Sequence, residues 1–383
     1  MSGPFGLILA VVQAVLGVRV GCRLLRTGRD TPIRSAPDAA IPAGSLGIIV
    51  PVLNEANRVR RCLEGVMTQG PQVGEILFVD SGSRDATCDV VLEYARREGR
   101  IRLIQAGPAP EDWNGKIWGL HHGERALGAS SEWVLTLDAD VAPAPALGAA
   151  LAARARERNV RLLSVATRQH VPDALQGLVH PTMLASLVYR FGRPNASVSS
   201  PSGVLANGQC CLIQRELLRT LGGFEAARGS LCEDITLARL AARAGERVGF
   251  FEAEDGLIEA EMYADWRDAW QNWPRSLTAR DALFGIQGWL GLLEVVFVQT
   301  LPLVVLPFPS RGMLRRVNVL LMAMRIGVLC GIARAYSHRP WSFWLSPVSD
   351  VPVALALWRS ALVRRHTWRD RSYVREKGSI LAV

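Results

Sequence analysis

A chain of 383 residues is long enough for one large domain or two. With 49% hydrophobic residues and a mean hydropathy of +0.16, it is more apolar than an ordinary soluble enzyme and less so than a polytopic transporter, so a soluble domain joined to a few membrane segments fits best. The net charge of +9 comes from basic residues beside apolar segments, not interleaved with aromatics on a compact module, which argues for an anionic membrane face and against nucleic acid.

Residues 4–20 are apolar except for Gln13 and Arg19, and Arg23, Arg26 and Arg29 follow. The positive charges lie after the apolar run rather than before it, so residues 1–29 read as an N-terminal membrane anchor with a cytoplasmic basic flank, not as a cleaved signal peptide. Residues 30–45, with several Pro, Ala and Asp, read as a linker.

Residues 46–260 alternate short apolar runs with amphipathic stretches. Strands are expected at 47–51, 75–80 and 134–138, with helices over 58–67 and 86–98 between them. This order predicts an α/β fold with a parallel sheet flanked by helices, whose ligands sit at the carboxyl ends of the strands. Asn54-Glu55, Asp80 and Asp138-Ala139-Asp140 all fall there. The seven cysteines show no metal-ligand spacing and read as reduced thiols.

Over 261–282, Trp266, Trp270 and Trp273 recur at helical spacing, giving one aromatic face for a membrane interface or a soluble core. Residues 283–360 hold three apolar runs, 283–308, 317–333 and 341–358, interrupted by Glu294, Arg325 and Asp350. Two spans and one interfacial segment are expected, returning the basic tail, 361–383, to the side of the soluble domain. Arg364, Arg365, Arg369, Arg371, Arg375 and Lys377 supply that tail's charge.

Four stretches carry chemistry. Side chains alternate along a strand, so Asp138 and Asp140, one residue apart, point the same way and suit Mg²⁺ or Mn²⁺ carrying a diphosphate. Pro51-Val52-Leu53-Asn54-Glu55 ends the first strand with an acid able to accept from a ribose or base. After the second strand, Asp80 is able to accept from a uracil N–H, or to cap the next helix with its neighbours. In Trp113-Asn114-Gly115-Lys116, the lysine stands at a helix start, where anions bind.

These stretches, with Glu233-Asp234 in "LCEDITLARL", resemble glycosyltransferase family 2 in their order over residues 47–251. The resemblance implies a GT-A fold, Rossmann-like and mostly parallel, with membrane-associated helices at both ends of the chain. It implies an inverting reaction with Asp234 as catalytic base and Glu233 positioning it. It makes Asp140, with Asp138, the metal site, and gives the nucleotide sugar Pro51, Glu55, Asp80, Lys116 and Asp138. Ser81 departs from the family, where many members carry a second Asp. The anchor, the W-x-G-K element and the apolar segments resemble the membrane-bound branch that glycosylates carotenoids and hopanoids. Trp270–Arg275 departs from that branch's Q-x-x-R-W spacing, leaving Arg275 to reach the diphosphate and arguing against a processive synthase. The expectation is sugar transfer from a nucleoside diphosphate sugar, UDP-hexose first, to a lipid hydroxyl, above the segment "GVLANGQCC" (203–211). The alternatives are a polyprenyl phosphate or diacylglycerol acceptor, or a silent sugar-nucleotide-binding scaffold. The expected location is the bacterial cytoplasmic membrane, catalytic domain facing the cytoplasm.

Overall fold

The computed structural model describes residues 4–36, 40–260, 265–309, 312–363, 365–368 and 371–374, with the side chains of Arg275 and of residues 365–374 outside the description. Runs apolar at successive positions, such as LGIIVPV and WVLTL, suit strands covered on both faces. The main sheet holds β1 (Leu46–Val52), β2 (Val73–Asp80), β3 (Ile101–Gln105), β4 (Trp133–Leu137), β6 (Leu162–Ala166), β8 (Ala196–Val198), β9 (Cys210–Gln214) and β10 (Val248–Glu252). A smaller sheet holds β5 (Val141–Pro143), β7 (Arg168–His170), β11 (Ile258–Ala260) and β12 (Tyr336–His338). The main order is β3-β2-β1-β4-β9-β6-β10-β8. Pairing is parallel from β3 to β4 and between β6 and β10, while β8 and β9 run antiparallel to their neighbours.

Alternation along β1 sends Ile48 and Val50 into one core and Ile49 into the other. All three are fully buried, which stabilises the fold by roughly 1.5–3 kcal/mol each. Helices α2 (Val59–Met67), α3 (Thr87–Ala95) and α5 (Leu147–Arg158) cover the first face. In α2, Val59, Cys62, Leu63 and Val66 bury one stripe at helical spacing. Helix α4 (Gly115–Ala126) covers the second face. It lies close because Gly123 has no side chain: a Cβ there would sit 2.4 Å from Ile49 Cγ2. The chain continues through α6 (Ala174–Phe191), α7 (Arg215–Thr220) and α8 (Glu233–Arg243).

Beyond the sheet, α1 (Pro4–Arg26) packs with α9 (Trp266–Leu277), α10 (Gly285–Glu294), α11 (Leu301–Val305), α12 (Met313–Ile332) and α13 (Asp350–Leu362) around α6. Among the described residues, three helices are long and apolar enough to cross a membrane: Pro4–Arg26, Gly285–Val305 and Met313–Ala335. The third apolar run instead breaks into a short helix, Trp341–Ser349, and α13. Strand β12, directly after α12, pairs in parallel with β7 and joins the apolar helices to the α/β part.

Three features add to the expectations. The span 30–36 is not a free linker: Ile33 bridges to Ala253 and is 1% exposed. Helix α9 packs Trp270 and Trp273 against α6 and α13, with Trp273 buried. The tail is partly ordered as a hairpin, Arg365–Trp368 with Arg371–Val374, while Arg364, Arg369, Arg375 and Lys377 lie outside the described residues.

Candidate active site

At the carboxyl ends of β1 and β2 the two loops are fastened to each other. Asn54 N–H donates to Ser83 Oγ (2.9 Å), Arg84 N–H to Asn54 Oδ1 (2.8 Å), Glu55 N–H to Thr87 Oγ1 (2.8 Å) and Ala56 N–H to Asp85 Oδ2 (3.1 Å). Asn54 adopts a left-handed conformation, φ 55°, which Asn tolerates better than most residues. Much of the second motif therefore serves loop architecture. Asp80 accepts from Gly82 N–H and Ser83 N–H at 3.1 Å, and is not among the residues lining the adjoining cavity. Its observed role is capping its own turn.

That cavity, about 1320 Å³, is lined at one end by Pro51, Glu55, Lys116, Asp138, Asp140 and by Glu233 with Asp234. Asp138 and Asp140 meet there for a reason other than strand alternation. Strand β4 stops at Leu137, and the acids occupy the turn into β5, where Val141 N–H donates to Asp138 O.

Lys116 is fixed from both sides. Asn114 caps α4, its Oδ1 accepting from Lys116 N–H (2.9 Å) while its Nδ2 donates to Ser230 O (3.2 Å). The ammonium then lies 2.7 Å from Asp138 Oδ1, 2.8 Å from Glu233 Oε1 and 3.1 Å from Gly208 O. An ammonium has three N–H bonds, and three acceptors take them. Lys116, expected to meet a phosphate, here bridges two carboxylates. Burial works against its charge, but Asp138 and Glu233 prevail and hold it above the usual lysine range. Gly208 makes room for this junction: a Cβ would lie 2.7 Å from Lys116 Nζ and 2.9 Å from Glu233 Oε1.

Glu233 and Asp234 open α8, where carboxylates suit the helix N-terminus. Glu233 is buried against Lys116 rather than exposed. Asp234 is pushed up to about 7, first by burial and then by the neighbouring Glu233 charge, against Lys116. Asp140 is also pushed up to about 7, by burial and the Asp138 charge, with Arg58 opposing.

Asp140 Oδ1 is buried without a hydrogen-bond partner, an orphaned acceptor that fits an oxygen-seeking cation. Among the described residues no three His, Cys, Asp or Glu side chains converge as a metal cage. Two carboxylates with the remaining positions left to phosphate and water match a hard-cation site of the open kind.

Sequence reasoning did not single out four participants. Arg58 lines the cavity, is paired with Glu55 Oε2 at 2.7 Å and faces Asp140 electrostatically; its only signal was the i,i+3 spacing from Glu55. Gly208 carried no signal beyond its place in "ANGQ". Asp268 and Asn272 of α9 line the cavity from above, Asn272 Nδ2 donating to Asp268 Oδ1 at 2.7 Å. The side chain of Arg275, expected near the diphosphate, lies outside the described residues.

Residues 47–222 match the sequence model of Glycosyl transferase family 2. A 58-residue stretch is 38% identical to Glycosyltransferase GlyA of Streptococcus pneumoniae serotype 4 (strain ATCC BAA-334 / TIGR4), covering 15% of this chain and 8% of that protein. A 60-residue stretch is 35% identical to EpsH of Bacillus subtilis (strain 168), covering 16% of this chain and 17% of that protein. The matches thus span less than a fifth of either curated relative. The fold is that of the mannosyltransferase PcManGT from Pyrobaculum calidifontis, solved in complex with GDP-Man and Mn²⁺, at 17% identity and a TM-score of 0.53 over 93% of this chain and 96% of that one. Residues 47–222 are thus similar to Glycosyl transferase family 2, and the chain has an α/β fold of the GT-A type.

Proposed function

We propose that the protein moves a sugar from a nucleoside diphosphate sugar, UDP-hexose first, to a hydroxyl of a membrane lipid, with inversion. One observation carries the reading. The cavity that holds Asp138, Asp140 and Asp234 is also lined by α1 and α12, two of the helices apolar and long enough to cross a membrane. At about 1320 Å³ it exceeds the ~300–1,000 Å³ of a usual small-molecule site, as a site for two substrates should.

Asp140 and Asp138 would hold Mg²⁺ or Mn²⁺. When bound, the ion neutralises the diphosphate and makes it a better leaving group. Asp234, with a pKa near neutrality, takes the acceptor's hydroxyl proton. The acceptor oxygen bonds to the anomeric carbon as the carbon–phosphate-oxygen bond breaks, and the electron pair leaves with the diphosphate. One displacement from the opposite face inverts the centre. Glu233 and Lys116 position Asp234 and Asp138, and Arg58 adds positive charge beside Glu55 and Asp140.

A positioned base matters for a neutral hydroxyl and not for an ionised phosphate, which favours an alcohol such as a carotenoid or hopanoid over a polyprenyl phosphate. Arg23, Arg26 and Arg29 follow the first apolar helix, supporting a bacterial cytoplasmic membrane with the catalytic domain on its cytoplasmic side.

The test is label transfer in membranes containing the protein, supplied with radiolabelled UDP-glucose and Mg²⁺. Organic-extractable label should appear, vanish with chelator, and fall about 10²–10⁴-fold in Asp234→Asn while nucleotide binding persists. Undiminished transfer by that variant removes the assigned base; absence of extractable label with any sugar nucleotide removes the enzyme reading.

A further inference from the structure

We propose that the cavity opens sideways into the bilayer between α1 and α12, and that this opening admits the hydrocarbon tail of a lipid alcohol. The inference rests on the acceptor reading above and adds where the acceptor enters and which residues decide its shape.

The two helices touch at one level and part at another. A Cβ on Gly17 of α1 would lie 2.8 Å from Leu321 Cδ2 of α12, so the helices are in close contact there. Toward the catalytic domain the glycines of both helices stand beside open space: a Cβ on Gly21, Gly327 or Gly331 meets no atom within 4 Å. Past that point, Leu24 and Leu25 of α1, with Gly28 just beyond its end, line the same cavity as Asp234. Across from them, Gly327, Cys330, Gly331 and Arg334 line it as well. The spacings i, i+3, i+4 and i+7 from Gly327 to Arg334 put that second set on one helix face. Gly327, Cys330 and Gly331 are exposed, and Leu25 is 73% exposed. The floor is Leu184, Leu187 and Val188 of α6.

The walls select an apolar occupant. On the outer side of α1, Leu7, Ile8, Val15 and Val18 are also largely exposed, the expected condition of a lipid-facing helix. The gap therefore lies between a bilayer and a catalytic cavity. Arg26, Arg29 and Arg334 are exposed at the same end, the level at which anionic headgroups attract cations. A tail in the gap would extend into hydrocarbon from that level, leaving its hydroxyl on the side of Asp234. The missing side chains of Gly327 and Gly331 make the passage wide, so bulk at those two positions is the direct way to close it.

The probe is hexadecanol carrying a diazirine, in vesicles of phosphatidylethanolamine and phosphatidylglycerol that hold the full chain. Irradiation should label peptides containing residues 21–28 and 324–335. Replacing glycine in an exposed helix face raises helix propensity, so the double variant Gly327→Trp and Gly331→Trp should fold. It should lose that label and transfer sugar to hexadecanol about tenfold less, while transfer to short, water-soluble hexanol stays within about twofold. Equal loss for both alcohols, no loss for either, or label placed elsewhere overturns the portal. So does equally strong labelling of both faces by a phosphatidylglycerol bearing the same diazirine, which would make the gap a site for bulk lipid. If the wild-type protein glycosylates neither alcohol, the acceptor reading is what fails. The crosslink then decides the portal alone, its presence on both helices supporting it and its absence ending it.

Discussion

Lys116 places its ammonium among three acceptors of the protein itself, and Gly208 is the reason the three bonds close. Its carbonyl takes one of them, and the absence of a Cβ leaves space for the other two. Gly208→Ala should therefore act on chemistry more than on stability. The new methyl displaces Nζ from Asp138 and Glu233, and Asp234, whose Cγ is 3.6 Å from that Cβ position, loses its alignment. A fall in kcat of at least about tenfold is expected, since misplacement of a positioned group by ~1 Å is costly in rate, with a smaller loss of thermal stability from the weakened Lys116 pairs. Steady-state kinetics beside thermal melts check this; an unaltered kcat would make the junction incidental. The acids of this junction were legible because motif chemistry requires them in order. Gly208 and Arg58 were not, because each acts through a meeting of segments that only the fold brings about. Asp80 shows the converse: a motif acid whose observed partners are its own turn amides.

The elements were legible where the hydrophobic period is strong. Strands β1, β2 and β4 and helices α2 and α3 fall within a few residues of expectation, because both sheet faces are covered and α2 has a clean apolar stripe. The turn after β4 was not foreseen, since pattern alone does not show where pairing stops. The polar interruptions of the apolar runs proved to be fasteners between helices. Gln13 and Asn318 exchange amide hydrogen bonds of 2.9 and 3.0 Å. Arg19 and Arg23 meet Glu294 at 2.6 and 2.7 Å. Arg325 of α12 meets Asp350 of α13 at 2.9 Å, both buried, with Gln299 and Thr182 completing the set. Asp350→Leu strands the Arg325 charge and should destabilise the helical part by about 3–5 kcal/mol. Adding Arg325→Met should restore most of that loss, because no unpaired charge then remains. Chemical unfolding of both variants tests it: a double variant no more stable than the single one would mean the pair contributes through geometry rather than charge balance.

At the scale of the molecule, two halves with different physics share one cavity: a sheet that presents acids, and apolar helices that present a hydrocarbon wall. Concentrating acids there has a consequence for stability. Asp140 and Asp234 both have folded pKa values raised from 3.8 to about 7. Between those values the folded chain holds protons that the unfolded chain has released. Stability from these two groups therefore falls as pH rises from about 4 to about 7 and stays low above it. A divalent cation held, as proposed, by Asp140 and Asp138 would offset the penalty by replacing the proton, provided it binds the folded state in preference to the unfolded one. Its stabilising effect must then depend on pH, since proton and cation compete for the same oxygens. Melting temperatures with Mg²⁺ and with chelator, at about pH 5 and about pH 8, should differ little at the lower pH and clearly at the higher. In Asp140→Asn the cation-induced rise should vanish at both, and the chelated protein should be the more stable at high pH because one buried charge is gone. A rise of equal size at both pH values, or one that survives the substitution, would move the cation away from Asp140 and take the leaving-group assignment with it.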